Sequence, residues 1–351
     1  MQAVKWKRIF RWGLILAGCI VFLMVSFVLL VLAGGFGKIP GPAELSKIQN
    51  PLASEIYTSD GVLMGKYYIH NRQYLKPGDI TAELRNALIA TEDIRFYKHR
   101  GIDARSLGRV LVKTVFLGDR SSGGGSTLTQ QLVKNLYPRQ EYGILGLPVN
   151  KLKEMITAVR IERLYTKDEI LMLYLSTVPF GENTLGIRSA SQMFFSQDPS
   201  GLDTEDVALL VGMLKATDIY NPVKHPDNAL NRRNVVLSQM HKYNYLPVGV
   251  ADSLKGLPLD IDHNPLPHDA GIAPYFREML RHRVERWATE NPKPDGEPYD
   301  IYTDGLKIYT TIDSRLQEYA ENAVKEHMAR LQELFEKTWE GRDLWSGIPN
   351  E

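Results

Sequence analysis

Glu92 is the residue whose surroundings first suggest chemistry. It follows Leu84 and Leu88 and precedes Phe96 at intervals of four, so on a helix these side chains form one ridge. Three of the four are apolar, which predicts that the ridge faces a core. A carboxylate buried in such a row should have a raised pKa, which is typical of a general acid or base. The alternative is an ordinary ion pair between Glu92 and Arg95 or a nearby lysine.

A run of three glycines at 123–125 precedes a second polar cluster. Glycines permit a ligand to approach the backbone closely, and Ser126 or Thr127 can cap the helix predicted to follow. Free N–H groups at a helix start attract phosphate, and Lys134 further along adds positive charge. Because no Gly-Lys-Ser/Thr follows at the required spacing, the segment predicts an anion site but not a nucleotide P-loop. An ordinary turn before a helix is an equal alternative.

The N-terminal segment predicts a membrane anchor. Residues 1–11 carry four basic side chains and no acidic one, and residues 12–37 carry no charge. This run can cross a hydrocarbon core of about 30 Å as a helix, and its basic flank predicts a cytoplasmic N-terminus. Residues 16–19 resemble a lipoprotein processing site, but the apolar stretch before them is too short for a signal core, which favours Cys19 as a membrane-helix residue. A single cysteine excludes an intrachain disulfide.

The remaining chain reads as mostly helical. Residues 54–69 predict a hairpin around Asp60 and Gly61, and residues 306–313 predict a strand before a helix that begins near Ser314. Residues 244–300 lack a clear period apart from one helix at 273–288. The helices predicted from Thr81 onwards are 81–98, 103–117, 127–136, 151–165, 167–176, 184–195, 203–215 and 228–242, with loops at the glycine turn and at 137–149.

Five sequence blocks follow one another in this helical part. They are 92–101; 124–135; 150–154; 167–176 with Gly181, Gly186 and Ile187; and 205–210 with 220–222 and 232–237. Together they resemble the peptidoglycan glycosyltransferases, the family 51 enzymes of class A penicillin-binding proteins. The resemblance implies a mainly α fold, in which a lysozyme-like glycosyltransferase domain lies behind a single N-terminal transmembrane helix. A small β-containing connector is expected at the C-terminal end.

The resemblance also implies a reaction and a site. The chain would polymerise lipid II into glycan strands, moving a sugar from a polyprenyl diphosphate to a 4-hydroxyl with inversion. Glu92 would be the general base, and Glu154 would assist the leaving diphosphate directly or through a cation; a mere surface pair of Glu154 with Lys151 is the alternative. Any cofactor would be a divalent cation, Mg or Mn, bound with the diphosphate. The implied substrate-binding residues are Asp93, Ser126, Thr127, Gln130, Gln131, Lys134, Asn135 and Lys151.

Two positions depart from the family pattern. Asn150 stands where the family usually has Arg, which removes one bidentate phosphate donor. Ser176 replaces a usual Asn. Neither change touches a glutamate, so activity is expected, with weaker substrate binding as a consequence of the lost arginine.

The implied domains are a cytoplasmic tail (1–11), a transmembrane helix (12–35), a linker and hairpin (36–75), the glycosyltransferase domain (76–243), a connector (244–300) and the incomplete start of a transpeptidase-linked region (301–351). No Ser-x-x-Lys, Ser-x-Asn or Lys-Thr-Gly occurs in the 351 residues. Transpeptidase activity is therefore not expected of this sequence. The pattern instead predicts a chain that is truncated before the transpeptidase domain.

Location and partners follow from the same resemblance. The expected location is the bacterial plasma (inner) membrane, crossed once, with the catalytic domain on the outer, periplasmic face. The expected partners are lipid II, the growing glycan strand, membrane lipid and cell-wall synthesis proteins. With 42 basic and 41 acidic residues, no nucleic-acid partner is indicated. The apolar segment 142–148 suits a membrane surface, or else folds onto its own core.

Two other functions are compatible with parts of the pattern. A lysozyme-type hydrolase or lytic transglycosylase would share the helices and one glutamate, but it would need neither Lys134 nor Lys151. A non-catalytic membrane-anchored scaffold is the other alternative, and it is motivated by Asn150.

Overall fold

The computed structural model describes residues 2–46, 48, 53–68, 75, 77–111, 124–264, 271–294 and 296–340, without the side chains of residues 2–11, 17 and 111. The chain forms two compact units, one of residues 1–50 and 72–264 and one of residues 51–71 and 265–351. The helices are α1 (Gln2–Leu32), α2 (Pro42–Leu45), α3 (Ala82–Glu92), α4 (Ala104–Leu111), α5 (Leu128–Leu136), α6 (Gly146–Leu164), α7 (Lys167–Thr177), α8 (Ile187–Phe195), α9 (Thr204–Met213), α10 (Pro226–Lys242), α11 (Val248–Lys255), α12 (Pro274–Glu290) and α13 (Ser314–Trp339). The strands are β1 (Ser54–Tyr57), β2 (Leu63–Tyr67), β3 (Pro179–Gly181), β4 (Thr184–Leu185) and β5 (Lys307–Tyr309).

Helix α1 contains the apolar run. Its segment Trp12–Leu32 has 21 residues and a mean hydropathy of 3.1, so it is long and apolar enough to cross a membrane. The helix ends where Gly34 adopts a left-handed conformation (φ 85°), and the N–H of Gly35 donates to the Leu30 carbonyl.

The first unit is built around α9. All residues from Val207 to Met213 are buried, as expected of a helix that is apolar on every side. Helices α3 and α10 pack against it, and α5 packs against α6 and α7 in the same core. Leu84, Leu88 and Phe96 are fully buried in this core, as the four-residue spacing predicts.

Threonine caps explain several helix starts. The Thr81, Thr127 and Thr166 hydroxyls accept the N–H of the third residue that follows, which satisfies a free donor at α3, α5 and α7. At α7 the Glu169 carboxylate also accepts the Thr166 N–H at 2.7 Å and completes a capping box.

The helix predicted at 81–98 is wrong in its second half. Helix α3 ends at Glu92 because Asp93 leaves the helical conformation (φ −156°, ψ 75°), and Phe96 lies in a separate 3-10 turn, Phe96–Lys98. The expected ridge is therefore not one helix face, although its apolar members do enter the core. Helix α4 begins as predicted, but residues 112–123, including Gly123, lie outside the described residues.

Three further predictions need correction. The loop expected at 137–149 contains a 3-10 turn, Gly143–Leu145, and the first residues of α6. The helix predicted at 184–195 begins only at Ile187, since β3 and β4 form a tight hairpin whose turn residues Glu182 and Asn183 are left-handed. The aperiodic stretch after 243 contains α11.

The second unit contains a three-stranded sheet with the order β2-β1-β5. Strand β1 pairs antiparallel with β2, which confirms the hairpin, and parallel with β5. Helix α13 begins at Ser314 as predicted, because the Asp313 carboxylate caps it by accepting the N–H groups of Arg315 and Leu316.

Candidate active site

Glu92 is the last residue of α3 and is half-buried. Its Oε2 accepts a hydrogen bond from Gln131 Nε2 at 2.9 Å, and Gln131 Oε1 accepts one from the Tyr174 hydroxyl at 3.1 Å. Burial raises the pKa of Tyr174 well above its ordinary value, and the Glu92 carboxylate adds to this, so the phenol stays a donor. Arg95, the alternative partner of Glu92, lies instead 3.4 Å from Asp103.

Asp93 connects the first block to the second. Its Oδ2 accepts hydrogen bonds from His99 Nε2 at 2.9 Å and from the Leu128 N–H at 3.0 Å. The Gly101 N–H donates to His99 Nδ1, which assigns the ring proton to Nε2. Asp93 therefore holds the start of α5 against the end of α3 and fixes the backbone beside Glu92.

Thr127 and Gln130, two residues expected to bind substrate, are buried and bound to the protein. The Thr127 hydroxyl donates to the Gly101 carbonyl at 2.8 Å, and Gln130 Nε2 donates to the same carbonyl at 3.0 Å. Their donors therefore fasten the glycine-rich turn to the loop that follows the first block.

Glu154 is only 5% exposed and lies between two cations. Its Oε1 accepts from Arg139 Nε at 2.8 Å and its Oε2 from Lys151 Nζ at 3.2 Å. Lys151 Nζ also donates to Ser126 Oγ at 2.6 Å. A surface pair of Glu154 and Lys151 is therefore not what the structure contains, because the carboxylate is buried.

Glu92 and Glu154 line one open cleft. Ser126, Gln131 and the exposed Lys134 lie in the same cleft. Lys151 reaches it through its bond to Ser126. A second cleft shares Glu92 and Ser126 and extends past Asp93 and Thr127. Of the residues expected to bind substrate, Asn135 and Lys151 line neither cleft within the described part of the chain, and Lys151 contacts the first cleft only through Ser126.

The cleft carries more positive than negative charge. Arg139, Lys215 and Arg232 line it together with Lys134, against the two glutamates. Arg232 and Lys215 lie over the Tyr220 ring at 5.8 and 5.9 Å from its centroid. None of these three cations is among the site residues predicted from the sequence. Arg232 could have been found from the sequence because it belongs to the fifth block. Arg139 and Lys215 lie in irregular segments outside the five blocks, so the sequence offered no such signal for them.

Asn150 stabilises the neighbouring loop. Its Nδ2 donates to the carbonyls of Gln140 and Gly146 at 2.7 Å each, and its Oδ1 accepts the Gln140 N–H at 3.2 Å. The short side chain thus fastens both ends of the segment that follows Arg139. An arginine here could not make this set of bonds, because guanidinium has no acceptor.

The described residues contain no group of three His, Cys, Asp or Glu side chains that could hold a metal ion. Glu154, the carboxylate that the resemblance relates to the leaving diphosphate, already accepts a hydrogen bond at each oxygen, from Arg139 and from Lys151. The side chains described around it therefore do not form a cation site of their own.

A family model described as Transglycosylase matches residues 60–241. Penicillin-binding protein 1A of Escherichia coli (strain K12) is 33% identical over 318 residues, and that of Aquifex aeolicus (strain VF5) is 32% identical over 318 residues; each match covers 91% of this chain. The chain belongs to the transglycosylase family, which confirms the resemblance and the mainly α fold class.

The chain spans only part of these relatives, 36% of the Escherichia coli protein and 41% of the Aquifex aeolicus protein. A crystal structure of penicillin-binding protein 1A from Haemophilus influenzae matches 79% of this chain and 29% of that chain, with 23% identity and a TM-score of 0.42.

Proposed function

We propose that the chain is a peptidoglycan glycosyltransferase that polymerises lipid II into glycan strands. The observation that carries the proposal is the single cleft in which two carboxylates, Glu92 and Glu154, face an excess of cations. A sugar acceptor needs a base, and a departing diphosphate needs positive charge. The arrangement of the cleft supports both requirements.

Glu92 is proposed as the general base. The acceptor 4-hydroxyl loses its proton to the Glu92 carboxylate while its oxygen forms a bond to the anomeric carbon. The bond from that carbon to the diphosphate breaks, and the diphosphate leaves with the electron pair. Gln131 donates to one carboxylate oxygen and is itself held by Tyr174, so the other oxygen of Glu92 keeps a defined direction.

Glu154 is proposed to act through the cations that it holds. A buried carboxylate would repel a diphosphate by itself, but it fixes Arg139 and Lys151 at hydrogen-bond distance. These two cations, with Lys134, then stabilise the negative charge that grows on the leaving group. A divalent cation that arrived with the diphosphate would supply further neutralisation.

The membrane features support a lipid-linked substrate. Ile144 is 99% exposed and Leu147 is 73% exposed, so the apolar segment 142–148 does not fold onto its own core. Tyr142 in the same segment packs edge-to-face against Phe36, just after the apolar helix α1. We infer that α1 crosses the plasma membrane with the N-terminus on the cytoplasmic side. The catalytic unit then lies on the outer side, where the segment 142–148 contacts the outer face of the plasma membrane.

The test is polymer formation from purified lipid II in detergent, comparing the parent with Glu92→Gln and Glu83→Gln. Glu83 is an exposed glutamate in the first turn of the same helix, which makes it a matched control. Polymer from the parent and the control but none from Glu92→Gln would support the proposal. Release of sugar without polymer would favour a hydrolase or lytic transglycosylase, and a folded parent without any turnover would favour the scaffold.

A further inference from the structure

The segment between the apolar helix and the catalytic core is bonded along its length. We call residues 33–45 the juxtamembrane strap. Its Phe36 carbonyl accepts hydrogen bonds from Lys153 Nζ and from the Tyr142 hydroxyl, each at 2.5 Å. Its Pro40 carbonyl accepts from Arg160 Nη1 at 2.6 Å, and its Leu45 carbonyl accepts from the Tyr165 hydroxyl at 2.7 Å.

Side-chain packing fixes the strap at both ends. The Phe36 ring packs edge-to-face against Phe27 in α1, with centroids 6.0 Å apart. Ile39 is buried, and Leu45 is fully buried in the main core. Gly37 has a φ of 86°, a conformation that favours glycine, which lets the chain turn beneath Lys153.

One helix holds both the strap and the candidate site. Lys153 and Arg160 lie in α6, as do Lys151 and Glu154. The two strap donors are seven positions apart, about 10 Å along the helix axis. A single rigid element thus connects the end of the apolar helix to the residues proposed to meet the diphosphate.

We propose that Lys153 and Arg160 are positioning residues that set the height of the cleft above the membrane, an inference that rests on the proposed function. A lipid-linked diphosphate is held at the membrane surface by its own tail. An enzyme anchored by a separate helix must present its cleft at the same level. An unbonded strap of this length would let the catalytic unit move over tens of ångströms, whereas the observed bonds hold α6 to the end of α1.

The first test compares two substrates. Lys153→Ala, Arg160→Ala and the double variant are assayed with full-length lipid II in vesicles and with a water-soluble analogue that has a shortened prenyl chain. The control is Arg163→Ala, an exposed arginine one turn further along α6. With vesicles we expect the double variant to lose about tenfold or more in rate, because misplacement of reacting groups is costly. With the soluble analogue we expect its rate to match the parent. Equal losses with both substrates, or no loss with either, would overturn the proposal.

The second test needs no turnover. Cys19 is the single cysteine of the chain and is exposed in α1, so a spin label there can be paired with one on Arg163→Cys. In vesicles the parent should give a narrow distance distribution between the labels, and the Lys153→Ala/Arg160→Ala variant a broad one. An unchanged distance distribution in the double variant would contradict the proposed positioning role of Lys153 and Arg160. A parent that makes no polymer from either substrate overturns the proposed function, while the distances still decide whether the strap positions the unit.

Discussion

Gln131 joins the Glu92 carboxylate to the buried Tyr174 hydroxyl. The amide nitrogen donates to Glu92 at 2.9 Å, and the amide oxygen accepts from Tyr174 at 3.1 Å. The Tyr174 hydroxyl donates its proton to the amide oxygen, which can only accept. The hydroxyl therefore determines that the amide nitrogen, and not the oxygen, faces Glu92. The proposed base is thus oriented by a residue that does not line the cleft.

We therefore expect Tyr174→Phe to lower kcat with little change in KM. Without the phenol the amide can turn its oxygen toward Glu92 and repel the carboxylate. A fall of roughly tenfold is reasonable for a partly misoriented general base. Steady-state polymerisation kinetics measure both constants. Tyr245→Phe is the control, since Tyr245 is an exposed tyrosine of the same unit. A raised KM at constant kcat would contradict the positioning role.

Gly101→Ala is expected to destabilise the fold. Gly101 has a φ of 89°, and a Cβ there would lie 2.8 Å from the backbone carbon of Ala158 in α6. Its carbonyl also receives Thr127 and Gln130, so a shift would loosen the glycine-rich turn. Strain and overpacking together should cost about 3 kcal/mol or more. Thermal unfolding measures this loss.

The matched control for that change is Gly108→Ala. Gly108 lies within α4, and a Cβ there would meet nothing within 4 Å. Alanine is the better helix former, so this variant should gain up to about 1 kcal/mol. Equal unfolding temperatures for the two variants would show that the Gly101 contact carries no weight.

The starts of α3 and α5 and the apolar core could be predicted from sequence, because they depend on local signals. Thr81 and Thr127 cap their helices through bonds to residues three positions away. The end of α3 could not be predicted in this way. Asp93 leaves the helix and receives bonds from His99 and from the distant Leu128 N–H.

The same distinction applies to the site. The resemblance identified Glu92 and Glu154, and the structure puts them in one cleft. The resemblance could not show that Thr127 and Gln130 bind the Gly101 carbonyl, because that contact arises from tertiary packing. For the same reason it could not show that Arg139 and Lys215 line the cleft. Helix α11 was missed for a similar reason. Its last carbonyls, those of Leu254 and Lys255, accept from the buried Arg233 of another helix.

Asp206 predicts a specific pH dependence of stability. Burial, with the neighbouring Glu205, Asp203 and Asp260 carboxylates, raises the pKa of Asp206 from 3.8 to about 6. Between these values the folded state binds more protons than the unfolded state, so stability falls as pH rises from about 4 to about 6 and stays lower above that. Asp206→Asn removes this loss.

We expect Asp206→Asn to be more stable than the parent at pH 7 and to approach it at pH 4. Urea unfolding across this range measures the difference. The control is Asp227→Asn, an exposed aspartate that also lies in the first turn of a helix. The free energy of unfolding of Asp227→Asn should change with pH in the same way as that of the parent. A constant gap between Asp206→Asn and the parent would contradict the titration.

The role proposed for Glu154 predicts that it is coupled to Arg139. If Glu154 acts by holding Arg139 and Lys151, the two changes Glu154→Gln and Arg139→Ala remove parts of one unit. Each should lower kcat/KM alone, and Glu154→Gln should cost much less once Arg139 is absent. Residues in one network typically show an interaction energy of about 0.5–3 kcal/mol in such a cycle.

The measurement is a double-mutant cycle on the polymerisation rate, with Arg163→Ala in place of Arg139→Ala as the control cycle. Arg163 is exposed on the same helix as Glu154, so its effect should add to that of Glu154→Gln without coupling. Full additivity in the Arg139 cycle would mean that the carboxylate acts on the substrate directly. Coupling would instead identify the ion pair of the buried Glu154 with the exposed Arg139 as a support that presents positive charge to the leaving diphosphate.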